Sequence, residues 1–281
     1  MRYFNLLLLS LSLGYGTLNA NPSINNNSTE SWMESLTPTQ KLTATNIILA
    51  STVLGWGFSQ WGYGEESYHT DNEGWFQRTT SNGGSDKLGH FYTNYVATRN
   101  LAPLYESWGY SKKEAGLYAS FTSIMISGLL IEIGDGYSVH GFSQNDLLAD
   151  SLGVGAGYLL YLNPSLANKL DFRVEFNPFV KTDNATDIST DYERMKHLLA
   201  IKADGFEAFQ DTPLKYLELH LGYYTRNFNH DHLPLAGRER NPYIGIGINL
   251  SKLLNPTIGD YSKFFNYVQI PHTYLEKTFT K

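Results

Sequence analysis

The sequence predicts an α+β protein in which an apolar four-helix bundle precedes a small antiparallel β-sheet region. In the first half, long stretches of apolar and small residues follow helix-capping signals. After Pro164, apolar residues change from helical spacing to strict alternation. A chain of 281 residues with 42% hydrophobic residues is long enough for one large core or two modest ones.

The composition limits the classes of partner and chemistry. Only 17% of residues are charged, whereas Tyr and Phe are abundant, which favours contact with membrane lipid or another envelope component. The net charge of −6 argues against a nucleic-acid partner. The absence of cysteine excludes disulfides, thiolate zinc sites and a Cys nucleophile, and we expect no lipid anchor on an N-terminal Cys.

The N-terminus predicts export. Residues 1–20 read as a signal peptide, with Arg2, a short apolar run and a cleavage point at Ala20. The apolar run is too short for the alternative, a first transmembrane helix. Residues 21–36 are rich in Asn and Ser and predict a flexible leader. We therefore expect a protein of the periplasm or outer membrane of a Gram-negative-type cell.

The first two predicted helices lie in a bundle assigned to residues 37–164. Thr37 caps the first helix, with Pro38 at its first position, and the apolar stretch stops at Gly62. The second begins at Ser85 or Asp86, and Pro103 is expected to stop it near Leu101.

The third and fourth helices begin at capping boxes that start at Ser111 and Ser143. The third ends at Gly134 and Gly136, and Pro164 closes the fourth. Small residues recur every four positions on both, as in many membrane helices, although a tightly packed soluble bundle explains the same pattern. "GVGAG" at 153–157 lies inside a capped helix, so we expect no nucleotide cofactor.

Residues 165–281 predict a β-rich region. Alternation in "DFRVEF", "LELHLGYY" and "YIGIGINL", and more weakly in "HLLAIK", indicates antiparallel strands with one apolar face. Four or five strands are too few for a closed transmembrane barrel, so we expect a sheet packed on the helices or lying on a membrane. A short amphipathic helix is possible at 258–268.

Ionisable residues gather at the helix ends. In an antiparallel arrangement, the start of the second helix, the end of the third and the start of the fourth meet at one end of the bundle. We therefore expect one shared polar site. Its residues are Asp86, Lys87, His90, Glu132, Asp135, Ser143, Asp146 and Asp150.

Three kinds of chemistry fit this set. Asp86, His90, Glu132 and Asp146 offer ligands for a divalent metal. The same groups suit acid–base catalysis, or they neutralise one another, with Lys87 pairing with a carboxylate. Simpler explanations exist for Asp86 and Asp146, which suit a helix start, and for Asp150, which suits a solvated face. His90 and Glu132 lie in or beside apolar stretches and need partners.

"GWFQRTTSNGGSDKLGHFYTNY" and "EIGDGYSVHGFSQNDLLADSLGVGAGY" together resemble the YfiM-type family of bacterial envelope proteins, a domain of unknown function that includes small periplasmic lipoproteins. More distantly, they resemble VanZ-like membrane proteins. The resemblance covers residues 74–160. It implies an envelope location and a single site for the polar residues from Asp86 to Asp146, whereas Asn is more usual where Asp150 stands.

The sequence thus predicts an exported cell-envelope protein, membrane-associated and structural or binding in role. The alternative is a metal-assisted or acid–base enzyme acting on a lipid-linked or cell-wall substrate. In that alternative His90 is the base, and Glu132 and Asp146 are acids or metal ligands.

Overall fold

A computed structural model describes residues 35–180, 190–228 and 235–281 of the chain. The predicted signal peptide, and the predicted leader up to residue 34, lie outside the described residues. The fold mixes helices with a largely antiparallel sheet, which confirms the α+β class. The described chain divides into two compact units. We call residues 35–71 and 94–162 the helical unit, and residues 72–93 and 163–281 the sheet unit.

Four long helices occur where the sequence predicts them. They are α1 (Pro38–Gln60), α2 (Ser85–Ser107), α3 (Lys112–Asp135) and α4 (Gln144–Leu162). Capping boxes begin α1 at Thr37 and α3 at Ser111, as predicted. The division between the units falls within α2, after Thr93.

The helical unit packs around a core of small and aromatic side chains. Leu101, Ala102 and Tyr105 of α2 are buried in it. They meet Ala115 and Ala119 of α3, with Leu42, Leu49 and Tyr161 completing the cluster. The two alanines let neighbouring helices approach closely, in keeping with the predicted role of the small residues.

Two helices differ from expectation. α2 continues through Pro103 to Ser107 instead of stopping at Leu101. Leu101, Ala102 and Tyr105 are buried in the core, and this burial offsets the loss of one backbone hydrogen bond at the proline. In α3, residues Ile124–Leu130 form π-helical turns between two α-helical segments.

The sheet unit holds six of the described strands. They are β3 (Leu170–Phe176), β4 (Met195–Lys202), β5 (Leu217–Arg226), β6 (Glu239–Ile248), β7 (Val268–Gln269) and β8 (Tyr274–Thr278). Their order is β7-β3-β4-β5-β6-β8, and each pair is antiparallel except β7 with β3. A two-residue parallel pair, β1 (Thr70–Asp71) with β2 (Phe142–Ser143), lies in the helical unit. The strand predictions are therefore confirmed.

Shorter elements complete the sheet unit. They are α5 (Pro164–Ala167), α6 (Glu207–Gln210) and α7 (Leu250–Ile258), with 3₁₀ turns at Tyr192–Arg194, Ala203–Gly205, Pro213–Tyr216, Leu235–Gly237 and Gly259–Asn266. The helix expected at 258–268 is thus displaced. The α-helix ends at Ile258, and a 3₁₀ segment follows it.

The sheet curls strongly around one face, which we call the inner face. The Tyr274 hydroxyl of β8 donates a 2.6 Å hydrogen bond to Glu175 of β3, although three strands separate them in the sheet. In a flat sheet these strands would stand roughly 19 Å apart, at about 4.8 Å per step. Glycines make room inside: a Cβ at Gly222 would lie 2.2 Å from the Tyr243 ring, and one at Gly247 would lie 2.5 Å from His220.

The inner face is polar and buried, whereas the opposite outer face is apolar and partly exposed. Along β5, Glu218 and His220 are buried, but their alternating neighbours Leu217, Leu219 and Leu221 are exposed. This distribution is the reverse of the usual one in a soluble sheet.

Candidate functional site

Three of the predicted site residues meet in the helical unit. Glu132, near the end of α3, is 1% exposed, and its Oε2 accepts a 2.9 Å hydrogen bond from the backbone N–H of Ser143. The Ser143 hydroxyl in turn accepts the N–H of Asp146 at 3.2 Å and so caps α4. The structure therefore brings Glu132, Ser143 and Asp146 together, with both carboxyl groups buried.

A tight turn after α3 produces this arrangement. Asp135 ends the helix, and its carbonyl accepts the N–H groups of Ser138 and Gly141, each at 2.9 Å. Gly141 has a φ of +80°, a conformation that favours glycine. The chain then pairs with β1, through Asp71 opposite Ser143, and returns to the level of Glu132. Asp135 therefore contributes to the site through its backbone position in the turn.

Asp150 lies deeper in the helical unit, fully buried on α4. Its Oδ1 accepts a 2.6 Å hydrogen bond from the amide of Asn94 on α2. The same amide lies 3.3 Å from the carbonyl of Ser127 on α3. One asparagine thus joins three helices, and Asp150 is a buried partner in this junction, not the solvated face that one interpretation of the sequence suggested.

Tyr63 packs beside the end of α3 in the same unit. Burial raises the pKa of its hydroxyl above the ordinary value, and the nearby Asp135 and Glu132 raise it further. The hydroxyl donates to the carbonyl of Ile131 at 3.2 Å. Tyr63 is therefore a neutral hydrogen-bond donor that helps to hold the acidic end of α3.

The remaining predicted residues lie in the sheet unit, at the start of α2. Lys87 is 2% exposed, and its Nζ lies 2.7 Å from Asp86 Oδ2 and also contacts Glu73. A buried ammonium group needs such partners. Asp86 and Lys87 are thus paired as one interpretation of the sequence predicted, whereas Glu73, in the preceding loop, is an addition from the structure.

His90 lies one turn after Asp86 on α2 and is half-buried. The grouping of these sheet-unit residues with Glu132, Asp135, Ser143, Asp146 and Asp150 in one shared site stays a prediction from the sequence. The catalytic and metal-binding roles stay predictions as well.

Sequence reasoning missed a second polar cluster, on the inner face of the sheet. Arg173 makes a bidentate ion pair with Glu218 at 2.6 and 2.9 Å, and it also contacts Asp171 at 3.1 Å. Asp171 pairs with Lys202 at 2.8 Å, and His220 lies 2.7 Å from Glu218. We call these five residues the inner network.

The charged groups of the inner network stabilise one another in their ionised forms. Burial opposes ionisation of Glu218, but the hydrogen bond from His220 and the charge of Arg173 outweigh it and lower the pKa of the Glu218 carboxyl. Burial likewise opposes the charge of Arg173, yet Glu218 and Asp171 raise the pKa of its guanidinium. Every member is buried, so the cluster holds strands together and has no access for a substrate.

Lys196 occupies the other end of the inner face. Its Nζ pairs with Glu276 at 2.7 Å and lies over the rings of Tyr224, Tyr243 and Tyr274 at 4.7, 5.2 and 5.4 Å. Such a cation over aromatic faces is stabilising. The charged residues that alternate along the strands are therefore interior, and opposite charges on neighbouring strands are the sequence signal that could have indicated it.

Within the described part of the chain, two helices are long and apolar enough to cross a membrane, by length and composition: α1 and α3. Only 11% of the apolar window of α1 is buried, and 39% of that of α3. Large apolar side chains are exposed on both helices. They include Ile47, Ile48, Phe58, Leu117 and Phe121.

Comparison with known proteins identifies one segment. Residues 72–162 of the 281 match the family model DUF2279, described as a predicted periplasmic lipoprotein. No curated protein and no solved structure matches the chain. The match confirms the resemblance to envelope proteins seen in residues 74–160, and it confirms the exported, periplasmic location. The likeness to VanZ-like proteins and the outer-membrane location stay predictions. The helix-rich segment 72–162 is thus similar to the DUF2279 family of predicted periplasmic lipoproteins.

Proposed function

We propose that this envelope protein is membrane-associated and structural or binding in role, with lipid against its exposed apolar helices. In this proposal the four long helices act as one bundle in residues 37–164, and the polar residues hold the helices in register. The β-rich region, residues 165–281, lies with its outer face towards lipid.

The exposure of α1 carries this proposal. Its 23 residues rise about 35 Å, at ~1.5 Å each, which is enough for the hydrocarbon core of a bilayer. Val53 and Gly57 are its buried positions, whereas Ile47 and Phe58 are 60% and 65% exposed. A soluble monomer rarely exposes a continuous apolar surface of this kind.

The outer face of the sheet supports the same conclusion. Ile246 of β6 is 60% exposed and Leu275 of β8 is 84% exposed, next to the exposed leucines of β5. An apolar outer face with a polar interior suits strands in contact with lipid.

The hydrogen bonds of the polar residues support the structural role. Asn94 joins α2 to Asp150 of α4 and to the backbone of α3, and Glu132 fixes the turn that begins α4. Buried polar groups of this kind commonly set the register of packed helices.

Fractionation of envelopes tests the membrane contact. We expect the wild-type chain to stay with membranes after alkaline carbonate extraction. Ile47→Asp should weaken this retention, because an acidic residue near the middle of a membrane helix costs about 2.5–3.5 kcal/mol on insertion. Gln60→Asp, at the polar end of the same helix, is the matched control and should behave as wild type. Recovery of the wild-type chain entirely in the soluble periplasmic fraction would refute the proposal.

The second candidate function is a metal-assisted or acid–base enzyme on a lipid-linked or cell-wall substrate. Two buried carboxyl residues that meet at Ser143 favour it: the Glu132 carboxylate accepts the backbone N–H of Ser143, and the Ser143 hydroxyl accepts the backbone N–H of Asp146. In this candidate His90 is the base, and Asp86, His90, Glu132 and Asp146 are the possible metal ligands.

Metal content and stability separate the two candidates. Stoichiometric divalent metal in the purified protein, lost in Asp86→Ala, would support the enzyme. In the structural role, His90→Ala lowers the free energy of unfolding. In the enzyme, it removes the cellular phenotype and leaves unfolding nearly unchanged.

A further inference from the structure

An apolar cavity of about 470 Å³ lies within the sheet unit, between the first turns of α2 and the outer face of the sheet. Its size falls in the range of small-molecule sites, roughly 300–1,000 Å³. Leu88 and Phe91 line it from α2, and Phe172, Leu199, Leu221 and Pro242 line it from the strands.

The polar side chains around the cavity are largely engaged elsewhere. The Tyr92 hydroxyl donates to the Tyr267 carbonyl at 2.7 Å, and the Tyr223 hydroxyl donates to the carbonyl of Gly83. The guanidinium of Arg173 is held by the inner network. A charged ligand would therefore find no free countercharge in the wall.

His197 provides one polar position. Its ring packs edge-on against Tyr92, with centroids 6.4 Å apart, and it lines the cavity. Its Nδ1 is buried and makes no hydrogen bond within the described residues. Burial lowers the pKa of the imidazole to about 4, so the ring is neutral near pH 7. A ligand with a long apolar body and one uncharged polar group matches this wall.

The cavity borders the exposed apolar surface of the sheet. Leu221 belongs to both: it lines the cavity and is 43% exposed on the outer face, beside Ile244 at 42%. An apolar chain entering from a membrane could therefore reach the cavity over these apolar side chains.

We propose that this cavity binds one acyl chain of a membrane lipid. The proposal rests on the proposed membrane association, since the membrane supplies the lipid. It adds a specific site, in which a single chain leaves the bilayer and packs between α2 and the sheet.

Photo-crosslinking tests this site on the full-length chain in vesicles. One probe is phosphatidylethanolamine with a diazirine near the end of one acyl chain, and the other is free palmitate with the same group. We expect the lipid probe to label peptides containing residues 88–92 and 197–199. Labelling of these peptides by free palmitate alone would overturn the assignment to a membrane lipid.

Cavity-filling variants sharpen the test. Leu88→Trp should lower labelling of these peptides about tenfold, equivalent to ~1.4 kcal/mol of binding free energy. Ile246→Trp, on the outer face but outside the cavity, is the matched control and should leave labelling unchanged. Leu199→Phe is the second variant if Leu88→Trp does not fold, as judged by circular dichroism. Undiminished labelling in a folded cavity-filling variant would overturn the proposal.

Parallel flotation of the vesicles separates this inference from the proposed function. A chain that floats with vesicles but is labelled only on the outer face refutes the cavity site and leaves membrane association intact. If the chain does not float with the vesicles but is still labelled at residues 88–92, membrane association is refuted, and the acyl-binding cavity is supported.

Discussion

Acidification should destabilise the sheet unit through His197. The imidazole is buried on β4, and burial lowers its pKa from 6.5 to about 4 in the folded chain. Between these values the unfolded chain binds the proton and the folded chain does not. The free energy of unfolding is therefore highest above pH 6.5 and falls as the pH is lowered towards 4.

The size of the effect follows from the two pKa values. Between the two pKa values, each pH unit changes the free energy of unfolding by about 1.4 kcal/mol. Lowering the pH from about 7.5 to about 5 should therefore cost about 2 kcal/mol, and the full loss near pH 4 approaches ~3 kcal/mol. The effect is a sizeable fraction of the stability of a typical domain.

Guanidinium unfolding in detergent micelles measures this loss, with His197→Gln as the comparison. His140, whose pKa burial also lowers, titrates in both proteins. So do the carboxyls of Asp191, which is buried, and Asp204, which is partly buried, whose pKa values desolvation raises. Their contributions cancel in the difference between the two proteins. We expect wild type to lose about 2 kcal/mol more than the variant on acidification. Equal losses in both proteins would refute the reasoning.

Two further predictions concern packing. Arg173→Met should lower the free energy of unfolding by about 3–5 kcal/mol, because Glu218 would keep a buried charge without its partner. The matched control is Lys263→Met, at a surface ion pair in which the Lys263 side chain is 67% exposed. It should change the free energy of unfolding by less than about 1 kcal/mol. Gly157→Ala should lower the free energy of unfolding by about 1–3 kcal/mol, because the new Cβ would lie 2.8 Å from Thr98. The matched control, Gly155→Ala, has nothing within 4 Å of its Cβ and should be neutral or stabilising. Chemical denaturation measures all four variants, and equal effects within either pair would contradict the corresponding argument.

The sequence predicted the elements well because their signals are local. Capping boxes at Thr37 and Ser111 marked helix starts correctly, and alternation marked the four long strands. The prediction that Pro103 ends α2 was wrong. The local preference of proline to end a helix is outweighed by the burial of the residues around it, and that burial depends on helices distant in sequence.

The candidate site was harder to predict. Spacing alone indicated that Glu132 and Asp146 lie near one another, and both contact Ser143. Strand register, which the sequence does not contain, decides that Arg173 meets Glu218 across the curled sheet. The sequence therefore indicated strands with one apolar face, but it did not indicate that the charged residues form the interior.

The reversed sheet also changes which substitutions the protein tolerates. If the outer face contacts lipid as proposed, a saturation mutagenesis screen should find that the outer positions of β5 and β6 accept almost any aliphatic or aromatic residue, because lipid adapts its shape to the side chain. The inner positions should reject them, since Glu218 and His220 have partners of fixed charge, and Gly222 and Gly247 leave no room for a larger side chain. A tolerance map that takes apolar positions as buried would thus assign the outer face of this sheet to its interior. The most apolar positions would be the ones that tolerate substitution best.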